Sequence, residues 1–258
     1  MTIQFYKYQG TGNDFILIDN REQAITLTHE QVAFLCHRRF GIGGDGLMLL
    51  ERADDYDFKM VYYNSDGGES TMCGNGGRCI TAFAQRLGII SRQAHFVAID
   101  GAHDAVINED NTVRLHMQDV HEINAADGHT ILNTGSPHYV QWVNDVQNTD
   151  VFTEGKRIRN QDAFQPKGIN VNFVQLQGGK LWVRTYERGV EDETLSCGTG
   201  VTASAIAATA KATGDFNTTL HTPGGTLSVS FTKDTADTAK NVILSGPATF
   251  VFDGRIEI

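Results

Sequence analysis

The pattern Glu-x-x-x-Cys-Gly-x-Gly occurs twice in this chain of 258 residues, at Glu69–Gly76 and again at Glu193–Gly200, a displacement of 124 positions. Other segments repeat in the same order at nearly the same spacing. Thr11–Leu17 matches Thr134–Val140, the loop and strand from Gly41 match those from Gly168, and Asp100–Val106 matches Pro223–Val229. Each match is weak alone, but their collinearity is the mark of an internal duplication. The expected fold is therefore α+β, built from two pseudo-symmetric α/β domains. In each, a curved, mostly antiparallel sheet wraps around one longer central helix. The halves are expected at 1–118 and 119–246, and the last strand, about 247–258, has no counterpart at the end of the first half and is expected to complete it. A pseudo-dyad places equivalent elements face to face, so the active site is expected in the interdomain cleft.

Composition removes several classes. A net charge of −10, from 21 basic and 31 acidic residues, argues against a nucleic-acid partner. No apolar run reaches the length of a membrane span, and Met1–Lys7 opens as an alternating strand without the layout of a signal peptide. The four cysteines, Cys36, Cys73, Cys79 and Cys197, make neither a disulfide framework nor C-x2-C zinc pairs. The expectation is a cytoplasmic protein with reduced thiols and no metal.

Along the first half the sequence predicts strands over Ile3–Tyr8 and Phe15–Ile18, then a helix over His29–Phe40 capped by Thr28. Gly41–Gly46 reads formally as G-x-G-x-x-G. It follows a helix and leads into the apolar strand Leu47–Leu50, the reverse of the order a dinucleotide site requires. Helical runs follow each cysteine motif, over Cys79–Leu87 and Val201–Thr213, and another is expected near Asp150–Arg157.

Each repeated cysteine thus stands at or just before a helix start, followed by glycines that let backbone approach a ligand. Partial positive charge and unpaired N–H groups there favour thiolate over thiol. A lone cysteine in such a place would most simply be a buried helix cap. Two in matched frames suit a specific chemistry: a thiolate removes a proton from one face of a carbon and a thiol returns one to the other. Charge developing beside a carboxylate would meet preorganised N–H donors. With no pyridoxal-phosphate site in the sequence, a cofactor-independent racemase or epimerase is expected.

Taken together, Gly10-Thr11-Gly12-Asn13-Asp14-Phe15, Phe40-Gly41-Ile42-Gly43, Met72–Cys79, Tyr186-Glu187-Arg188-Gly189 and Ser196–Gly200 resemble the diaminopimelate epimerases. These belong to a superfamily with the proline racemases and phenazine-biosynthesis isomerases. The resemblance implies interconversion of LL- and meso-diaminopimelate, in lysine and peptidoglycan-precursor biosynthesis, by a homodimer. It implies Cys73 and Cys197 as the acid–base pair, and substrate binding by Asn13, Asn64, Gly74, Asn75, Ser136, Asn170, Glu187, Arg188, Gly198 and Thr199. Arg188 suits a carboxylate and Glu187 an ammonium. His138 and Glu187 would tune the thiols. The sequence departs from the family pattern at Gly46, where some members carry glutamine, and at Ser136, where many carry asparagine.

Three alternatives stand beside this reading. A proline or hydroxyproline racemase would share the thiols, but has no use for Glu187 and Arg188 as partners of a distant ammonium and carboxylate. A thiol–disulfide redox protein would normally show C-x-x-C. A non-catalytic amino-acid-binding module is the third. Asn64 and Asn170 also suit strand ends as plain turn formers. Cys36, Cys79, Phe83 and Leu87 read as core, and the remaining histidines show no ligand spacing.

Overall fold

The computed structural model describes residues 1–258, which divide into two compact units, Met1–Leu115 with Gly246–Ile258, and His116–Ser245. The first unit contains β1 (Thr2–Gly10), β2 (Asn13–Asp19), α1 (His29–Cys36), β3 (Gly46–Glu51), β4 (Phe58–Asn64), β5 (Glu69–Ser70), α2 (Gly74–Arg86), β6 (Gln93–Ala98), β7 (Gly101–Ile107) and β8 (Val113–His116), the last reaching the boundary. The second contains β9 (Ile123–Ala126), β10 (His129–Asn133), β11 (Pro137–Trp142), α3 (Val151–Arg159), β12 (Asn170–Gln177), β13 (Lys180–Glu187), β14 (Asp192–Thr194), α4 (Gly198–Ala207), β15 (Gly214–Thr222), β16 (Gly225–Lys233) and β17 (Lys240–Gly246). The final strand, β18 (Thr249–Glu257), pairs antiparallel with β1 and belongs to the first unit.

Both units follow one plan. In the first, the sheet runs β18, β1, β2, β3, β4, β6, β7, β8, with parallel pairs only at β2–β3 and β4–β6. In the second it runs β9, β10, β11, β12, β13, β15, β16, β17, again parallel only twice, at β11–β12 and β13–β15. A parallel pair needs a crossover, and each crossover here carries a helix: α1 and α2 in one unit, α3 and α4 in the other. In this correspondence β18 takes the place of β9.

Between the two halves of each sheet's curvature, α2 and α4 are buried nearly all round, as a helix enclosed by its sheet must be. α2 packs on β1, β2, β3, β7 and β18, and α4 on β10, β11, β12, β13, β15 and β16. α1 and α3 cover the other faces. Consequently Phe15–Ile18 and Leu47–Leu50 are buried on both sides and read as unbroken apolar runs.

Helix ends differ from expectation in two places. α1 stops at Cys36 rather than Phe40 because the Gly41 loop folds back on it. The amides of Ile42 and Gly43 donate to the Leu35 carbonyl and that of Gly44 to Cys36. Gly43 takes φ +83°, which a side chain would resist. The glycines therefore close a helix C-terminus. α4 stops at Ala207 rather than Thr213, where Ala210 turns left-handed (φ 47°) and the buried Lys233 donates to its carbonyl at 2.7 Å. No helix is long and apolar enough to cross a membrane.

Candidate active site

Cys73 and Cys197 are the N-cap residues of α2 and α4, each in extended conformation before the helix begins. The Cys73 sulfur accepts from the Gly76 N–H at 3.2 Å, and the Cys197 sulfur lies 3.4 Å from the Thr199 hydroxyl. The first turns after both sulfurs are Gly74-Asn75 and Gly198-Thr199, whose N–H groups point out of the helix end.

In the first unit, the turn between β1 and β2 is tied to the start of α2. Asn75 donates to the Asn13 side-chain oxygen at 3.2 Å, and Asn13 donates to Asp45 at 2.6 Å. Behind them Arg78 is fully buried, with its guanidinium donating to the Gly74 carbonyl, Thr11 Oγ1, Asn75 Oδ1 and the Pro247 carbonyl. Burial disfavours its charge and pushes its pKa down, so these four acceptors are what keep the strut in place. Asp14, beside Asn13, is paired with Lys7 at 2.7 Å and with Arg38 at 2.6 Å. Burial alone would raise its carboxyl, but the hydrogen bonds from Arg38 and Lys7 hold it down at about 2. Asn64 ends β4, exposed, opposite Gly46. A side chain at Gly46 has no room, since a Cβ there would lie 2.5 Å from the Tyr62 ring and 2.7 Å from the Tyr63 carbonyl.

The second unit brings Ser136, Asn170 and Arg188 into one cluster. Asn170 donates to Ser136 Oγ at 2.8 Å and accepts from the Arg188 amide at 2.8 Å, while the Arg188 guanidinium reaches Ser136 Oγ at 3.4 Å. Glu187, which ends β13, accepts from Thr194 Oγ1 at 3.0 Å. Thr134 Oγ1 donates to the Thr199 carbonyl at 2.8 Å and so steadies the turn after Cys197. His138 is wholly buried on β11, where Asn172 Nδ2 meets its Nδ1 at 3.1 Å. Burial, and then the Arg188 charge, push the ring down to about 3, so it is neutral. Thr11, Arg78, Asn172 and Thr185 are site supports that no sequence signal singled out. No group of three or more His, Cys, Asp or Glu side chains is placed to hold a metal ion.

The sequence profile of the diaminopimelate epimerase family matches residues 5–122 and 130–251. The chain is 54% identical to the diaminopimelate epimerase of Flavobacterium psychrophilum, over 98% of this chain and all of that one. It is 43% identical to that of Chlorobaculum tepidum, over 96% and 99% of the two chains. The chain belongs to the diaminopimelate epimerase family. Its fold is shared more widely than its sequence. A Bacillus anthracis protein of the PhzF phenazine-biosynthesis family superposes with a TM-score of 0.76 at 15% identity, over the whole of both chains. A hydroxyproline epimerase from Agrobacterium vitis does so with 0.70 at 14%, over 99% of this chain and 92% of that one. Within the diaminopimelate epimerase family, the Gly46 position of this chain is closed by the Tyr62 ring, and Ser136 offers a hydroxyl to both Asn170 and Arg188.

Proposed function

We propose that this protein interconverts LL- and meso-diaminopimelate by moving protons between the substrate α-carbon and two cysteines, with no cofactor. One observation carries the reading: in a member of this family, Cys73 and Cys197 each cap a helix at equivalent points of two units built to one plan. A thiolate at one of them takes the α-hydrogen as a proton and becomes a thiol. The thiol of the other gives its proton to the opposite face and becomes the thiolate, so each turnover leaves the pair with reversed protonation. The negative charge that develops meanwhile lies on the substrate carboxylate, for which the first-turn N–H groups of α2 and α4, at Gly74-Asn75 and Gly198-Thr199, are the donors.

Arg188, Ser136 and Asn170 bind the distal carboxylate and Glu187 the distal ammonium; Asn13 and Asn64 hold the substrate from the first unit. His138 and Glu187 tune the thiols. The homodimer implied by the family resemblance and the cytoplasmic location expected from the reduced thiols belong to the same proposal.

The test is α-hydrogen exchange in deuterated water with LL-diaminopimelate and, separately, with proline. Exchange and inversion of diaminopimelate alone is the expected result, and exchange of proline alone would overturn the substrate assignment. Cys73→Ser and Cys197→Ser each keep a residue fit to cap the helix, so the fold is retained while inversion is lost. Full activity in either variant removes the acid–base roles.

A further inference from the structure

An asparagine side chain can be turned end for end without changing its shape, and its hydrogen-bond partners decide which way it stands. In the first unit Asn13 and Asn75 are held in one direction from both ends. The Arg78 guanidinium can only donate, and its Nη2 meets Asn75 at 3.1 Å, so that end of Asn75 is the oxygen. The nitrogen of Asn75 is then the end that meets Asn13 at 3.2 Å, and the Asn13 atom there is the oxygen. This leaves Asn13 Nδ2 against Asp45 Oδ2 at 2.6 Å, and a carboxylate can only accept. Donors and acceptors thus run in one order from Arg78 to Asp45.

Asp45 is itself fixed. Its Oδ2 also accepts from the Asp14 amide at 3.2 Å, its own amide donates to the Asp14 carbonyl at 2.7 Å, and its Oδ1 accepts from Arg38 Nη2 at 2.7 Å. Stability does not explain this carboxylate. The Arg38 and Asp45 side chains are 59% and 42% exposed, where an ion pair contributes little. Nor does the fold require it, because the second unit follows the same plan without it. Gly46 and Asn170 stand opposite Phe15 and His138, so the place of Asp45 is taken there by Ile169, a buried core residue. The places of Asn13, Asn75 and Arg78 are taken by Ser136, Thr199 and Thr202. None of these four is a carboxylate, an amide or a guanidinium.

We propose that Asp45, held by Arg38, is a positioning residue that turns the Asn13 amide so that it meets the substrate as a donor. The inference rests on the epimerase reading, in which Asn13 and Asn75 contact the substrate. With the Asn13 oxygen on Asn75 and one nitrogen hydrogen on Asp45, the second nitrogen hydrogen serves the ligand, and a carboxylate is the group that accepts it. Turned the other way, Asn13 would set an oxygen against that carboxylate. Without Asp45 the amide divides between the two directions, and only the correctly turned fraction binds. The effect therefore falls on binding and not on proton transfer.

A neutron crystal structure of the deuterated protein reads both amides directly. The expected result is deuterium on the Asn13 atom facing Asp45 and on the Asn75 atom facing Asn13. In Asp45→Asn the one side-chain oxygen goes to the Arg38 cation and the nitrogen is left against Asn13 Nδ2. This variant is expected to raise KM for LL-diaminopimelate at least about fivefold, with kcat within about twofold and the urea midpoint close to that of the wild type. Asp45→Ile, which carries the residue of the other unit, stands in if Asp45→Asn fails to fold. In an Asn13→Ser background either substitution should change KM less than about twofold, because Asp45 acts through Asn13. A wild-type Asn13 with its oxygen towards Asp45, a wild-type KM in both Asp45 variants, or a rise in KM that persists undiminished beside Asn13→Ser would overturn the proposal. The neutron structure is independent of turnover, so the expected amide order in a protein that inverts no diaminopimelate would remove the epimerase reading and leave the placement of Asn13 by Asp45 standing.

Discussion

The amide of Gly76 donates to the sulfur of Cys73 across 3.2 Å, and a Cβ at position 76 would lie 3.2 Å from that sulfur and 2.4 Å from Met48 Cε. A Cβ on its counterpart Gly200 would instead lie 2.3 Å from Asn172 Oδ1. The two glycines therefore differ in what a methyl group would displace. Met48 can swing its terminal methyl aside, whereas the Asn172 amide is held by Thr185, Tyr139 and His138. Gly200→Ala is expected to cost about 1–3 kcal/mol. Gly76→Ala should stay within about 1 kcal/mol, since alanine also favours the helix. Urea unfolding of the two variants checks this, and equal losses would contradict it.

Cys36 and Cys79 should be the unreactive pair among the four thiols. Burial pushes both Cys36 and Cys79 up to about 12, with nearby cations, Lys7 and Arg78 respectively, offsetting only part of it. A thiol so raised has almost no thiolate at neutral pH. Iodoacetamide applied to the folded protein at about pH 8 should leave Cys36 and Cys79 unmodified by mass spectrometry, and modify both after denaturation. Labelling of either at the rate of Cys73 would contradict the packing described above.

What the sequence revealed is what local chemistry decides. The cysteine caps, the glycines after them and the Thr28 capping box with Gln31 depend on neighbours a few positions away. β15 gives no strand signal in the sequence because its side chains alternate without an apolar face: Asp215, Asn217 and Thr219 are exposed, and only Leu220 is fully buried. Arg78 would ordinarily be placed on a helix surface. It is interior because its acceptors come from the β1–β2 turn, its own helix and Pro247, 169 positions away in sequence. The His138–Asn172–Thr185 chain was hidden for the same reason, since its members come from three strands and meet only through the register of the sheet. Even the unmatched last strand has a counterpart, β9, which is visible only from pairing.

Asp14 should matter more to stability than its exposed neighbourhood suggests. Its carboxyl is held at about 2, against the effect of burial, by hydrogen bonds from Arg38 and Lys7. A folded-state pKa below the unfolded value contributes stability that is complete above about pH 4 and lost as pH falls through the folded value. Asp14→Asn leaves Lys7, whose side chain is 7% exposed, without its carboxylate, and is expected to cost about 2–3 kcal/mol at neutral pH. The gap from wild type should shrink towards about pH 2, measured by urea unfolding across pH. A gap that stays constant would show that the ion pair contributes nothing.

His138 gives the opposite group, a base kept neutral by its surroundings. Burial and then Arg188 push it down to about 3, while in the unfolded chain an imidazole titrates near about 6.5. Between those values the unfolded state binds a proton that the folded state does not, so stability falls as pH falls, by up to about 1.4 kcal/mol per pH unit. His138→Phe places in the second unit the residue type that the first has at Phe15, and removes this contribution. It also leaves the Asn172 nitrogen with only the Tyr139 carbonyl, so the variant should be less stable than wild type at about pH 7. Below about pH 6 the wild type should lose stability faster than the variant, and the two unfolding curves should converge. Parallel pH profiles for the two proteins would mean that His138 accepts its proton in the folded state, and that the ring is not held neutral.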